Sequence, residues 1–249
     1  MPPDSSNLFH QRQPRVVATV STLAGWELAE KLSRVTVDSP SEETMRDDLV
    51  LLGSPDLLEV RADLLLENAL ELPSEISDLP LPVLLTVRHP SEGGKGPLDP
   101  AARAEIYRRH WKNAAAIDIE LASVSALPEL IDDAIAMQLP CVFSHHDFSG
   151  MPTLEALEAM TQAAAEAGAS CFKVAAKTDT VAQLSTLLTW VERERTLPVA
   201  AMGMGRLGKI SRPLLAQLGS QLNYGYLDAP VVPGQWPASE LRRVIASLF

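Results

Sequence analysis

ASCFKVAAK, residues 169–177, sets a lysine inside a short apolar run. Runs of this kind read as strands buried on both faces, the pattern of a parallel sheet covered by helices. An ammonium group in such a strand must reach solvent, meet an anion, or give up its proton and become a nucleophile able to form a Schiff base with a carbonyl compound. For Lys173 the run alone leaves two readings open, a structural ion pair and an imine-forming amine.

The segments on either side are helical. TLEALEAMTQAAAEAG (153–168) precedes the run, with Thr153 placed to cap its start and Gly168 to stop it, and DTVAQLSTLLTWVERE (179–194) follows, capped by Asp179 or Thr180. The alternation extends along the chain. RVVATVS (15–21) is followed by GWELAEKLSRV (25–35), with helical spacing at Trp26, Leu28, Leu32 and Val35. DLLEVRAD (56–63) is followed by a helical stretch to Leu70, and LPVLLTVR (81–88), after a glycine-rich loop, by DPAARAEIYRRHWKNA (99–114), where Pro100 suits a first helical turn. AAIDIEL (115–121), LPCVFSHHDF (139–148), LPVAAMGM (197–204) and LNYGYL (222–227) complete the strands, each with its own helical segment. Eight strands alternating with eight helices over residues 15–249 predict an α/β fold, a single (β/α)8 TIM barrel, with residues 1–14 as a flexible arm. A doubly wound open sheet is the competitor, but no GxGxxG joins a first strand to its helix and no linker divides the chain.

Composition narrows the partners. The chain has 249 residues and a formal charge of −11, which argues against nucleic acid and anionic membranes, since both reward a basic face. No run has the roughly 18 apolar residues of a transmembrane helix and the N-terminus does not read as a signal peptide, so a cytoplasmic protein is expected. Cys141 and Cys171 both fall in strands and are expected to stay unpaired. A few arginines in a cleft still allow a small anionic ligand.

In a barrel of this kind the active site lies at the C-terminal ends of the strands. The polar residues expected there are Glu59, Arg61 and Asp63; Thr86, Arg88 and, in the next loop, Glu92; Asp118 and Glu120; Ser144, His145, His146 and Asp147; Lys173; and Ser211 and Arg212 at the start of a helix. Alternation along a strand puts Glu59 with Arg61, Thr86 with Arg88, and Asp118 with Glu120 on shared faces. Each pair alone reads as a buried salt bridge; converging on one mouth with a lysine, together they read as a site. Arg61, Arg88 and Arg212 are expected to repel the Lys173 ammonium and so favour the nucleophilic amine. His146 is the candidate base and Glu92 its orienting carboxylate. His145 and His146 are adjacent on a strand and point to opposite faces, so a shared metal is not expected.

The strings EVRAD (59–63), TVR with EGG (86–94), DIEL (118–121), SHHDF (144–148), FKVA (172–175), MGMGRLGKISR (202–212) and PGQ (233–235), in this order and at these intervals, resemble those of the type I 3-dehydroquinate dehydratases. The resemblance runs from Pro14 to the C-terminus. It implies a (β/α)8 barrel, commonly a homodimer, that converts 3-dehydroquinate to 3-dehydroshikimate in the shikimate pathway without metal or organic cofactor. By position, Lys173 matches the Schiff-base lysine, His146 the general acid and base, and Glu92 its partner. Glu59, Arg61, Arg88, Arg212 and Gln235 match the residues that hold the substrate's hydroxyls and carboxylate, and Thr19 matches a small hydroxyl residue on the first strand. Val231 stands where the family usually carries Ser or Thr, so one hydroxyl contact is missing, and Pro230 and Pro233 flank it.

Two other readings remain. A class I aldolase on a similar barrel would share the lysine but favour phosphate binding after strands seven and eight, where GMGRLG (203–208) lies. A non-catalytic sensor of quinate-like ligands would be expected to have lost Lys173 or His146. Lys177, at the exit of its strand, is read as solvated.

Overall fold

Parallel strands flanked by helices build the fold, as the alternating runs predict. The structure, a computed structural model, describes residues 8–9, 14–32, 53–66, 72–96 and 99–249. The eight βα units are β1 (Arg15–Val20) and α1 (Leu23–Leu32), β2 (Leu57–Arg61) and α2 (Ala62–Leu65), β3 (Val83–Thr86) and α3 (Pro100–His110), β4 (Ala116–Glu120) and α4 (Pro128–Ala136), β5 (Cys141–Asp147) and α5 (Leu154–Glu166), β6 (Cys171–Lys177) and α6 (Val181–Glu192), β7 (Val199–Met204) and α7 (Gly208–Gln217), and β8 (Leu222–Tyr226) with α8 (Ala238–Ala246). The sheet runs β7-β6-β5-β4-β3-β2-β1-β8 with every pairing parallel. Between β7 and β8 the seam is bridged by Gln221 N donating to Val199 O (2.9 Å) and by the Ser220 hydroxyl, which accepts from Ala201 N (3.0 Å). The curled sheet is that of a (β/α)8 barrel, its β7–β8 seam held by these loop bonds rather than by a strand ladder.

The helix boundaries follow local chemistry. Thr153 Oγ1 accepts from Ala156 N (3.2 Å) at the start of α5, and Gly168, at φ +87°, ends that turn in a left-handed conformation open to glycine. Thr180 and Gln183 form a reciprocal capping box on α6. Asp99 caps α3 ahead of Pro100.

Two apolar clusters divide the interior. One fills the space between strands and helices, through residues such as Val16, Trp26, Leu85, Phe143, Phe172, Trp190 and Leu241; the other lies inside the barrel, through Val17, Leu57, Leu84, Val142, Ala200, Leu222 and Tyr224. Leu8 and Phe9, from the segment expected to be an arm, are buried in the inner cluster. Residues 1–7 and 10–13 lie outside the described residues, as do Val35 and the part of the expected helix to Leu70 that covers 67–70.

Two expectations are corrected. Leu28 is 43% exposed; α1 turns Gly25, Trp26 and Ala29 inward, so its buried stripe keeps Trp26 but leaves Leu28 outside it. A ninth strand, β9 (Trp236–Pro237), was not expected. It pairs with β8 because Gly225 lets the chain pass close, where a Cβ would lie 2.6 Å from Ala238 Cα. Among the described residues no helix is long and apolar enough to cross a membrane.

Candidate active site

The strands that alternate around the barrel bring Glu59 (β2), Asp118 (β4), Lys173 (β6) and Tyr224 (β8) together in one layer of the lumen, as such barrels do. Lys173, 2% exposed, sets its Nζ 2.5 Å from Asp118 Oδ2, 3.6 Å from Glu59 Oε1 and 4.4 Å from the centre of the Tyr224 ring. The lysine is therefore an ion-paired group in this structure. The expectation that three arginines would repel its charge is corrected, because two of them are themselves paired with carboxylates. Arg61 forms a bidentate pair with Asp63 (both distances 2.8 Å), and Arg88 meets Asp118 at 3.0 Å and Glu120 at 2.9 Å.

A second tier holds these partners. Ser144 Oγ accepts from Arg88 Nη1 (2.7 Å) and donates to Asp118 Oδ1 (2.6 Å). Glu120 also accepts from Arg103 (2.5 Å), His89 N (2.9 Å) and Ser123 Oγ (2.9 Å). Burial pushes the Asp118 carboxyl up, but Arg88, Lys173 and Ser144 outweigh it and hold it down at about 2. Thr19 and Thr86 donate to the two oxygens of Glu59, at 3.0 and 3.2 Å. Thr19, matched by position to the family's small hydroxyl residue, thus also orients Glu59.

The HPSEGG loop after β3 brings Glu92 against β5. Its Oε2 lies 2.9 Å from both the backbone N and the ring Nδ1 of His146. Gly94 permits the loop, since a Cβ there would fall 1.8 Å from the carbonyl oxygen of Arg88. Burial, with the Arg88, Lys173 and Arg61 cations, pushes His146 well below the ordinary imidazole range. Burial likewise pushes Glu92 up to about 7, against the pull of Arg88. An ionised Glu92 accepts the Nδ1 proton and leaves the Nε2 lone pair free, the form a base requires.

Arg212 closes the far wall from α7. It is 1% exposed, its Nε and Nη1 have no hydrogen-bond partner among the described residues, and burial lowers it to about 10. A buried guanidinium without an anion is a costly arrangement unless a ligand supplies one. Over the mouth, Gln235 Oε1 accepts from Val231 N (2.7 Å) and Val232 N (3.3 Å), which pins the loop after β8.

All nine residues singled out from sequence, Thr19, Glu59, Arg61, Arg88, Glu92, His146, Lys173, Arg212 and Gln235, line one cavity of about 290 Å³, with Phe148, Met202, Met204, Tyr224, Val231 and Val232 among its other walls. His145 does not line it. Sequence reasoning placed Asp118 and Ser144 at the mouth of the barrel but gave them no role, and it missed Tyr224. A wider depression of about 780 Å³ lies at the opposite end of the barrel, among the loops leading into β3, β4 and β5, and no buried charged group lines it.

The GMGRLG segment is not a phosphate cradle. Its amides are spent on the protein: Gly203 N donates to Ser211 Oγ, Arg206 N to Asp179, Leu207 N to Thr178 O and Gly208 N to Gly205 O. Lys177 is a surface group, 43% exposed and 3.6 Å from Asp179. Cys141 and Cys171 are free and buried. Among the described residues no cluster of three or more His, Cys, Asp or Glu side chains is arranged to hold a metal.

Comparison with known proteins agrees with this arrangement. The chain is 34% identical over 206 residues to the 3-dehydroquinate dehydratase of Methanosarcina barkeri, covering 78% of this chain and 85% of that protein. It is 33% identical over 214 residues to that of Shouchella clausii, covering 80% and 83%. The crystal structure of 3-dehydroquinate dehydratase from Geobacillus kaustophilus superposes with a TM-score of 0.78 at 26% identity, over 95% of this chain and 91% of the other. Residues 34–249 match the family model of type I 3-dehydroquinase, and with that match the chain belongs to the type I 3-dehydroquinase family.

Proposed function

We propose that this protein is a type I 3-dehydroquinate dehydratase, a carbon–oxygen lyase that converts 3-dehydroquinate to 3-dehydroshikimate and water through a Schiff base on Lys173. The observation that carries the reading is the pairing, within one cavity, of a buried lysine on β6 with a buried arginine that has no ion pair among the described residues. A ketone carrying one negative charge would engage both, its carbonyl at the lysine and its charge at the arginine.

In the proposed reaction Lys173 attacks the C3 ketone. The ketone oxygen leaves as water and the nitrogen becomes a protonated imine, which acidifies the neighbouring C2–H. His146 Nε2 takes that proton, its tautomer set by Glu92, and the same proton is returned to the C1 hydroxyl as it departs as a second water. Hydrolysis of the imine consumes one water and releases the product. The net reaction removes one water. Arg212 with Gln235 holds the substrate carboxylate, and Glu59, Arg61 and Arg88 hold its hydroxyls or orient the groups that do. Val231 removes one hydroxyl contact from this set. A cytoplasmic homodimer acting in the shikimate pathway is part of the same proposal, resting on the family.

Mixing protein with 3-dehydroquinate, adding borohydride and taking a mass tests the reading. The expected result is a covalent adduct on Lys173. Substrate that binds without an adduct would instead support a sensor and overturn the proposal.

A further inference from the structure

Tyr224 is the member of the Lys173 layer to which neither the family positions nor the proposed steps assign a part. Its side chain is buried, yet its hydroxyl has no hydrogen-bond partner among the described residues. What it offers the lysine is the ring, whose centre lies 4.4 Å from Nζ. The face of an aromatic ring carries negative potential and attracts a cation, more strongly where water is excluded.

The chemistry gives this contact a use. Condensation of an ammonium with a ketone yields a protonated imine and water, so one positive charge sits on the same nitrogen before and after. Asp118, Glu59 and the Tyr224 ring surround that nitrogen throughout. A neutral imine would be a poor acidifier of the adjacent carbon, so whatever keeps the nitrogen protonated sustains the reaction.

We infer that Tyr224 is a positioning residue of the Schiff-base site, its ring face seating the charged nitrogen of Lys173 and keeping the imine protonated while its hydroxyl takes no part. The inference rests on the dehydratase reading above. The other charged or titratable groups around this nitrogen are Glu59 from β2, Arg88 from the segment after β3, Asp118 from β4, His146 from β5, Cys171 from β6 and Arg212 from α7. All stay unchanged when only the ring's electron density is altered.

The test compares Tyr224→Phe with phenylalanine analogues carrying one, two or three ring fluorines at position 224, since fluorine withdraws density from the face with little change of shape. Adduct on Lys173 is trapped with cyanoborohydride, which reduces the protonated imine, across neutral to alkaline pH. Tyr224→Phe, which keeps an unsubstituted ring and drops only the hydroxyl, is the reference whose trapping and pH profile the fluorinated rings are compared with. The trifluorinated ring is expected to lose the adduct about tenfold more readily, moving the alkaline fall in trapping down by about one pH unit, with intermediate shifts for fewer fluorines and little change in KM. Trapping that is indifferent to fluorination at every pH overturns the inference, as does a tenfold loss of kcat in Tyr224→Phe, which would assign the role to the hydroxyl. Absence of adduct in the parent protein would instead remove the dehydratase reading itself.

Discussion

Replacing Arg212 with methionine should make the empty protein more stable and the enzyme nearly useless. Burial lowers this guanidinium from 12.5 to about 10, and at roughly 1.4 kcal/mol per tenfold in proton affinity this is about 3 kcal/mol by which folding disfavours the charged side chain. The sign follows from the direction: the folded state holds the proton less tightly, so the cost is full below about pH 10 and is relieved only as pH rises toward 12.5, which leaves all of it in force at neutrality. Methionine fills a similar space with no charge. For a chain of this size about 3 kcal/mol corresponds to a rise in Tm of roughly 6–12 °C as an upper bound. The cost on binding runs the other way. Removing even one charge-assisted bond to a carboxylate costs about 1.5–3 kcal/mol, so without its two-pronged grip on the substrate the variant should show a KM raised a hundredfold or more. Thermal melting with and without substrate reads both effects: Arg212→Met should melt higher when empty and show none of the ligand-induced shift seen in the parent. A variant that melts lower when empty and keeps its KM would refute the assignment of Arg212 as an anion site held open by the fold.

Three further predictions concern the other walls. His146→Ala should still form the borohydride-trappable imine but turn over about a hundred to ten thousand times more slowly; unchanged turnover would remove His146 from the reaction. Because burial raises Glu92 to about 7, kcat/KM should fall on the acid side with an apparent midpoint near neutrality, as protonation of Glu92 frees Nδ1 to lose its proton, and Glu92→Gln should abolish that limb. The raised carboxyl also means that folding stability contributed by Glu92 is present below pH 4.5 and lost as pH rises through 7, so Glu92→Gln should melt no lower than the parent at pH 8. Gly94→Ala would put a methyl 1.8 Å from the Arg88 carbonyl oxygen, so the loop must move; a fall in kcat with Lys173 still able to form the imine is expected, and a fully active variant would show that the loop does not set the Glu92–His146 contact.

The barrel could be read from sequence because strands buried on both faces leave continuous apolar runs, and because Thr153, Gly168 and Thr180 mark helix ends by chemistry that acts within a few residues. Part of the site could be read for a similar reason, since alternation puts Glu59 with Arg61 and Thr86 with Arg88 whatever lies across the barrel, whereas the roles given to Thr19 and Gln235 come from the family resemblance alone. What lies across it was not readable. That Asp118 takes Lys173 while Arg88 bridges Asp118 and Glu120 depends on the stagger between strands, which no local spacing encodes. Tyr224 escaped notice because an aromatic residue in a strand reads as core, which it also is. Leu28 shows the same limit for a helix: the period is written locally, whereas its phase against the barrel is set by what Trp26 packs on.

The distribution of buried charge now bears on the choice of ligand. Arg61 has Asp63, Arg103 has Glu120, Arg88 lies between Asp118 and Glu120, and Lys173 lies between Asp118 and Glu59, so four cations face four carboxylates. Glu92 is engaged with His146. Among the described residues this leaves Arg212 as the buried cation of the site without an ion pair. A ligand carrying two negative charges would place the second beside carboxylates already paired, and a neutral ligand would leave Arg212 unmatched at the cost worked out above. One negative charge and one ketone are what the cavity can balance, and imine formation preserves that balance, since the cation on the lysine nitrogen persists through condensation. The paired state of Lys173 is therefore no obstacle to its acting as the nucleophile: Asp118 and Glu59 hold the same charge in the resting enzyme and in the protonated imine, and only the brief passage through the free amine has to be supplied by thermal fluctuation.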